Sequence, residues 1–223
     1  MNWLAYIPPL LQGAEVTAEI AVVSTLLGAL FAFVFGIGKT SRSRAIRWIS
    51  VVYIEIFRGT SLLVQLFWLY FALPLAGQAI GVDLRFSPIT VGILALALNI
   101  GAYGAEVVRG ALQAVDPDQY EAATALNFTH RQALFRIALP QAIPEMMPTF
   151  GNLAVQNLKD TALVSLISLA DLAYKAEQIR NFSQDSVTVY SLVLVMYFAM
   201  ALVLTAFMKL LERSVGRWRR VRA

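Results

Sequence analysis

Four stretches of this chain contain no Asp, Glu, Lys or Arg: Ile20–Gly38, Gly59–Val82, Phe86–Ala105 and Ser186–Met208, of 19, 24, 20 and 23 residues. A helix of that length crosses a hydrocarbon core of about 30 Å. A fifth stretch, Met146–Ala170, has 25 residues and only the adjacent pair Lys159 and Asp160. Together the five make up half of the 223 residues, in a chain that is 58% hydrophobic and 14% charged. That composition excludes a soluble globule. The expected fold is an all-α integral membrane protein forming one domain over 1–223, with five transmembrane helices at about 16–38, 59–82, 86–106, 146–170 and 186–208.

Lys and Arg set the orientation, because basic residues accumulate in cytoplasmic connections. The first connection holds Lys39, Arg42, Arg44 and Arg47, the third Arg109, Arg131 and Arg136, and the tail Lys209, Arg213, Arg217, Arg219, Arg220 and Arg222. The opposite side holds Arg85, Lys175 and Arg180, while Arg58 and Lys159 lie at or within spans. The expectation is an outside N-terminus, a cytoplasmic C-terminus, and cytoplasmic connections at 39–58 and 106–145. Met1–Gln12 lacks the basic start of a cleavable signal. It is expected at the interface, with Trp3 and Tyr6 at headgroup level, as are Trp48, Trp68 and Trp218 as anchors or packing groups.

With no cysteine and one histidine, His130, thiol catalysis and His/Cys metal sites are excluded, and no cofactor is expected. The net charge of +4 reports orientation rather than nucleic acid. Gly38-Lys39-Thr40 resembles the end of a phosphate loop, but Phe33 stands where the motif needs glycine. Energy from ATP would have to come through another subunit.

The longest connection contains start and stop signals for two short helices over 116–140. Asp116 is an N-cap, Pro117 suits the first turn, and Gln119 is placed to reach back to the cap. Asn127 is a residue that tolerates a left-handed turn. Thr129 and Gln132 make a capping box, and Pro140 is expected to end the second helix at Leu139. The result would be a cytoplasmic elbow. A DNA-reading helix pair is excluded by its few cations and its tethering to the bilayer at both ends.

The string Glu121-Ala122-Ala123, with the turn at Asn127 and then Ile137-x-Leu139-Pro140-Gln141-Ala142, resembles the signature loop of the inner-membrane permeases of ATP-binding-cassette (ABC) importers. Tyr53-x-Glu55-x-Phe57-Arg58-Gly59-Thr60, Ala102-Tyr103-x-x-Glu106-x-x-Arg109-Gly110 and Leu158-Lys159-Asp160-Thr161 narrow the likeness to the polar amino acid branch, of histidine, glutamine or arginine type. The likeness runs from about Val16 to Arg213. Asn127 replaces the signature glycine, Asp118 a usual glycine, and Ser61 a usual proline. The resemblance implies coupling helices that dock on an ABC ATPase dimer through Glu121, Ala122, Ala123, Asn127, Thr129 and Pro140. It also implies a second permease, identical or homologous, an extracytoplasmic solute-binding protein, and a multi-pass place in the cell inner (plasma) membrane. The solute would be a polar amino acid or a derivative such as a compatible solute or opine, moved by alternating access. The chain itself would not be an enzyme.

Polar residues inside spans are costly and face a cavity or one another. Asn99, Tyr103 and Glu106 form one helical stripe, Asn152, Gln156 and Lys159 a second, and Glu55, Arg58, Ser61 and Gln65 a third. Each stripe either lines a passage or bridges helices. Glu106 would meet an ammonium and Arg58 a carboxylate, unless they sit at the cytoplasmic rim. Lys159 and Asp160 are the one charge pair deep in a span, read either as a structural pair or as part of the pathway. Gly101 and Gly104 are expected to permit close helix packing. An ion-coupled carrier using Glu106, Lys159 and Asp160 is the alternative function, and a non-transporting scaffold a third. Both leave the elbow or the stripes unexplained.

Overall fold

The computed structural model describes residues 3–220, with side chains up to Val215. The expectations for Trp218, Arg217, Arg219, Arg220 and Arg222 fall outside the described residues or side chains. Within that range all regular structure is helical, with no strand.

Helix α1 covers Ile7–Lys39 after a 3-10 turn at Trp3–Tyr6, with Pro8 and Pro9 in its first turn. It starts well before the expected residue 16, so Ile7–Gln12 belongs to the helix rather than to a separate interfacial segment. Glu15 and Glu19 end the uncharged run, but both lie on the exposed face of α1 and do not interrupt it. Helix α2, Arg44–Gly59, occupies most of what was expected to be a connection. Its buried Ser50, Tyr53 and Ile54 fall at helical spacing, with Arg47 and Trp48 exposed. Helix α3 follows at Leu62–Ala79, and α4 at Pro88–Gln113, where the Ser87 hydroxyl accepts the Thr90 N–H. The elbow helices α5 (Pro117–Ala125) and α6 (His130–Ala133) come next, then α7 (Leu139–Asp160), α8 (Leu172–Ser183) and α9 (Ser186–Arg220).

Two expectations about where helices end are corrected. Among the described residues, four helices are apolar and long enough to cross a membrane, Trp3–Lys39, Leu62–Ala79, Pro88–Gln113 and Ser186–Val215. The fifth stretch, 146–170, is not one helix: α7 ends at Asp160, a 3-10 segment runs over Thr161–Ile167, and Ser168 turns left-handed at φ 62°. Nor does Pro140 stop the elbow's second arm. A π-helical turn at Leu134–Ala138 joins α6 to α7, with the Leu139 N–H donating to Leu134 O. Proline lacks an N–H, and its ring collides with the carbonyl four residues back. The widened turn gives that ring room, so the helical path runs straight through it. The same solution recurs at Trp68–Ala72, two residues before Pro74.

The centre of the fold is the contact of α1 with α4, where backbones meet through small residues. A Cβ on Gly101 would stand 2.8 Å from Phe31 Cβ and 3.1 Å from Gly28 O, and one on Gly36 would stand 2.7 Å from Ala105 O. A Cβ on Gly104 would meet Ala32 Cβ at 2.7 Å. Tyr53 of α2 seals this seam, stacking on Phe35 at 3.9 Å and donating its hydroxyl to Leu98 O at 2.8 Å. On the far side, α9 shows Leu194, Phe198, Leu202 and Val203 outward, the surface expected of a helix solvated by hydrocarbon.

At the end opposite the elbow, Asp171 caps α8 by accepting the Tyr174 N–H at 2.9 Å, and Thr17 accepts the Leu172 N–H at 3.0 Å. Asp171 is fully buried, and its Oδ2 has no hydrogen-bond partner among the described residues. Burial raises its pKa from the ordinary 3.8 to about 6, against the lowering effect of the backbone N–H donors.

Two predictions follow from these contacts. Gly101→Val forces α1 and α4 apart and removes the monodisperse folded peak in detergent, with a cost of about 3 kcal/mol or more. Gly110→Ala, with open space at its Cβ, leaves the peak unchanged. The stability that Asp171 contributes in its protonated form is complete below about 3.8 and is lost as pH rises through about 6. Asp171→Asn keeps the cap and flattens this dependence, so the variant melts above wild type at pH 7 and close to it at pH 4.

Candidate translocation site

The path from α2 to α3 breaks at Thr60, which is extended (φ −118°, ψ 154°). A helix end away from water leaves orphan carbonyls that need donors. Two amides supply them. Gln65 Nε2 donates to Phe57 O at 2.9 Å, Thr60 Oγ1 at 2.8 Å and Thr60 O at 3.2 Å, and Asn99 Nδ2 donates to Phe57 O at 3.1 Å and Gln65 Oε1 at 3.2 Å. The break also overturns one expected stripe: Glu55, Arg58, Ser61 and Gln65 do not share a helix face, because two helices meet between them.

Beside this break lies a cleft of about 470 Å³ walled by α3, α4, α7 and the 3-10 segment after α7. Its polar lining is Thr60, Ser61, Asn99, Tyr103, Gln156, Asn157 and Asp160, set among Leu62, Leu63, Ile100, Leu153 and Leu163. Gln156 Nε2 donates to Asp160 Oδ1 at 2.9 Å. The Arg58 guanidinium lies 5.4 Å from the centre of the Tyr103 ring, a cation–π contact between α2 and α4.

The structure therefore gathers Asn99, Tyr103, Gln156 and Asp160 in one place, with Gln65 behind them and Arg58 on Tyr103. It does not bring Glu106, Glu55, Asn152 or Lys159 there. Asn152 opens on a separate crevice of about 230 Å³ between α7 and α9. Lys159 is exposed and makes no direct ion pair with Asp160, since neighbours on a helix diverge. Asn157 was missed: it is buried and donates to Ser24 Oγ at 2.7 Å and Thr25 Oγ1 at 2.9 Å. Its signal was available, as Ser24 and Thr25 are the only hydroxyl residues of Ile20–Gly38.

Glu106 sits instead in an ionic cluster at the elbow end. It accepts from Lys39 Nζ at 2.5 Å and from Arg109 Nε at 2.8 Å, while Lys39 also lies 3.8 Å from Glu55 Oε1. Arg109 also donates to Gln113. The cluster ties the ends of α1, α2 and α4.

The elbow is held by local bonds. Asp116 accepts the Asp118 N–H at 3.0 Å, and Thr129 and Gln132 form the reciprocal capping box. Asn127, at φ 58°, closes α5 in a Schellman motif: Phe128 N donates to Ala123 O and Asn127 N to Thr124 O, both at 2.9 Å. The Gln119 side chain does not serve the cap as expected; its Oε1 accepts from Gln141 at 3.4 Å, tying α5 to α7. Ala123 and Ala133 are buried, whereas Glu121, Ala122, Asn127, Thr129 and Pro140 are exposed, as are Leu126 (68%) and Phe135 (54%). A hollow of about 560 Å³ between elbow and α1 is lined by Lys39, Tyr120, Glu121 and His130, among others.

A bundle of apolar helices around a polar cleft, with a capped elbow at one end, is the architecture of an integral membrane protein. The chain belongs to the family of binding-protein-dependent transport system inner membrane components, whose model matches residues 24–217. The probable amino-acid ABC transporter permease protein y4tF of Sinorhizobium fredii (strain NBRC 101917 / NGR234) is 64% identical over 219 residues, covering 98% of this chain and 92% of that one. The glutamine transport system permease protein GlnP of Escherichia coli (strain K12) is 33% identical over 209 residues, covering 94% of each. A crystal structure of an amino acid ABC transporter with histidines superimposes with a TM-score of 0.84 at 34% identity, covering 96% of this chain and 99% of that one. The chain is thus a multi-pass inner-membrane permease subunit and not an enzyme; in such systems ATP hydrolysis belongs to a separate subunit.

Gln65→Leu strips donors from the Phe57 and Thr60 carbonyls and lowers stability by about 1–3 kcal/mol. Thermal denaturation in detergent measures this, and an unchanged melting temperature refutes the clamp.

Proposed function

We infer that this chain is the membrane-spanning permease of an ABC importer that carries a polar amino acid, or a derivative such as a compatible solute or opine, into the cytoplasm by alternating access. The elbow is the observation that carries the reading. Its first arm ends in a Schellman turn, its second runs through a π-turn into α7, and Leu126 and Phe135 stand exposed beside Glu121 and Ala122. An elbow continuous with a helix that walls the cleft moves that wall when it is pushed. The names of the relatives support the amino acid class.

In this reading the chain is one domain with five crossings, the fifth formed by α7 and its 3-10 extension together. The excess of Lys and Arg puts the elbow end and the C-terminus in the cytoplasm and the N-terminus outside. An ABC ATPase dimer docks on the elbow through Glu121, Ala122, Ala123, Asn127 and Thr129, with Pro140 at the foot of the rigid arm. A second permease, identical or homologous, completes the passage, and an extracytoplasmic solute-binding protein delivers the solute. The bilayer is the only other partner, and no nucleic acid is involved. Asn99, Tyr103, Gln156 and Asp160 line the pathway. Asp160 offers an ammonium its negative charge, and Arg58, at the Tyr103 edge, offers a carboxylate its positive one.

Reconstitution in proteoliposomes with the ATPase, the second permease and the binding protein tests this. Loaded binding protein stimulates ATP hydrolysis in wild type, and Glu121→Arg lowers that stimulation about tenfold while the chain keeps its fold. Hydrolysis indifferent to both the binding protein and Glu121 overturns the reading.

A further inference from the structure

We propose that Lys39 is a positioning residue for transport, which links the elbow to the cleft by exchanging its acidic partner between Glu106 on α4 and Glu55 on α2. The proposal rests on the permease reading above and names a device within it.

The charges come first. Lys39 Nζ is 2.5 Å from Glu106 Oε1 and 3.8 Å from Glu55 Oε1, so one ammonium faces carboxylates on two different helices. Glu106 is already held a second time by Arg109 Nε at 2.8 Å. If the ammonium moves to Glu55, Arg109 remains on Glu106, and neither arrangement leaves a carboxylate of low exposure without a cation. A partly buried charge left alone is strongly unfavourable, so this sharing is what allows two arrangements of comparable energy. Glu55, whose side chain is 67% exposed, tolerates the loose contact seen here, whereas Glu106, at 18%, does not.

Position comes second. Lys39 ends α1 and lines the hollow shared with Tyr120 and Glu121 of the elbow. One turn from Glu106 along α4 stands Tyr103 of the cleft, and one turn from Glu55 along α2 stands Arg58, which covers the Tyr103 ring. The two acids that compete for Lys39 therefore sit next to the two side chains that meet at the edge of the cleft. The mechanics agree. α1 and α4 are locked by their glycine contact, while α2 is joined to α4 by single hydrogen bonds at Tyr53 and Phe57 and ends at the extended Thr60. With Lys39 on Glu106, the cluster ties α1 tightly to α4 and reaches α2 only through the looser 3.8 Å contact with Glu55. With Lys39 on Glu55 it draws in α2, and Arg58 moves relative to Tyr103.

The experiment uses the complete transporter in proteoliposomes. Glu55→Gln removes one of the two partners and leaves the Lys39–Glu106–Arg109 contacts in place. Expression, melting temperature, complex assembly and basal hydrolysis stay at wild-type values, while stimulation by loaded binding protein and solute uptake both fall about tenfold. Glu55→Asp restores part of the loss. Because the chain has no cysteine, spin labels at Trp48→Cys on α2 and at Ala114→Cys, the residue that caps the end of α4, report the separation of the two helices. That separation changes on ATP binding in an otherwise wild-type background and stays fixed with Glu55→Gln. Wild-type stimulation and an ATP-dependent separation in Glu55→Gln overturn the proposal, and so does a lowered melting temperature, which marks Glu55 as a structural tie. If the wild-type complex itself shows no stimulation by binding protein, the importer reading has failed and this device fails with it.

Discussion

The structure depends on how closely α1 and α4 approach. Lipid tails are as apolar as leucine, so nothing squeezes two membrane helices together; close contact of their backbones must do it. Gly28, Ala32 and Gly36 on one helix, and Ala97, Gly101 and Ala105 on the other, leave out the side chains that would hold the axes apart. Everything else is placed against this pair. Tyr53 fits the seam and orients α2, Asn99 on α4 reaches the end of α2, and Asn157 on α7 reaches Ser24 and Thr25 on α1. Residues with side chains at these glycines would shift all three attachments at once.

Around that rigid pair the chain is irregular where function would need it, and each irregularity has its backbone groups answered. The break at Thr60 is capped by two amides, and two prolines are admitted by widened turns. The two carboxylates of Glu106 and Glu55 balance the two cations of Lys39 and Arg109 within one cluster. Unsatisfied groups cost most in an apolar surrounding, which is why side chains that read as pathway lining serve partly as structural donors. Gln65 and Asn99 both hold the end of α2, and Asn99 also faces the cleft.

Much of this was readable from the chain. The apolar runs located the long helices, and the Asp116 cap, the left-handed Asn127 and the Thr129–Gln132 box all appear where their residue types require. Other readings failed for definite reasons. Pro140 was expected to end a helix, since the π-turn that accommodates it leaves no mark in the sequence. Glu15 and Glu19 hid the first three turns of α1, because a charge on an exposed helix face does not stop the helix. The Glu55-to-Gln65 stripe assumed continuous helix across Gly59 and Thr60. Glu106 has the right spacing to continue from Tyr103, yet Lys39, 67 residues earlier, captures it.

The sequence by itself determined what depends on near neighbours: which stretches exclude water, where helices are capped, and which residue takes the left-handed turn. Those outcomes are set by hydropathy and by hydrogen bonds spanning three to five residues, and both are visible along the chain. Tertiary structure decided which polar side chains meet, where α2 breaks, and how 146–170 divides into α7 and a 3-10 turn. The reason is physical: the fate of an amide or a charge inside an apolar bundle depends on the donor or acceptor that the opposite helix brings within 3 Å of it, as Ser24 does for Asn157 at 2.7 Å.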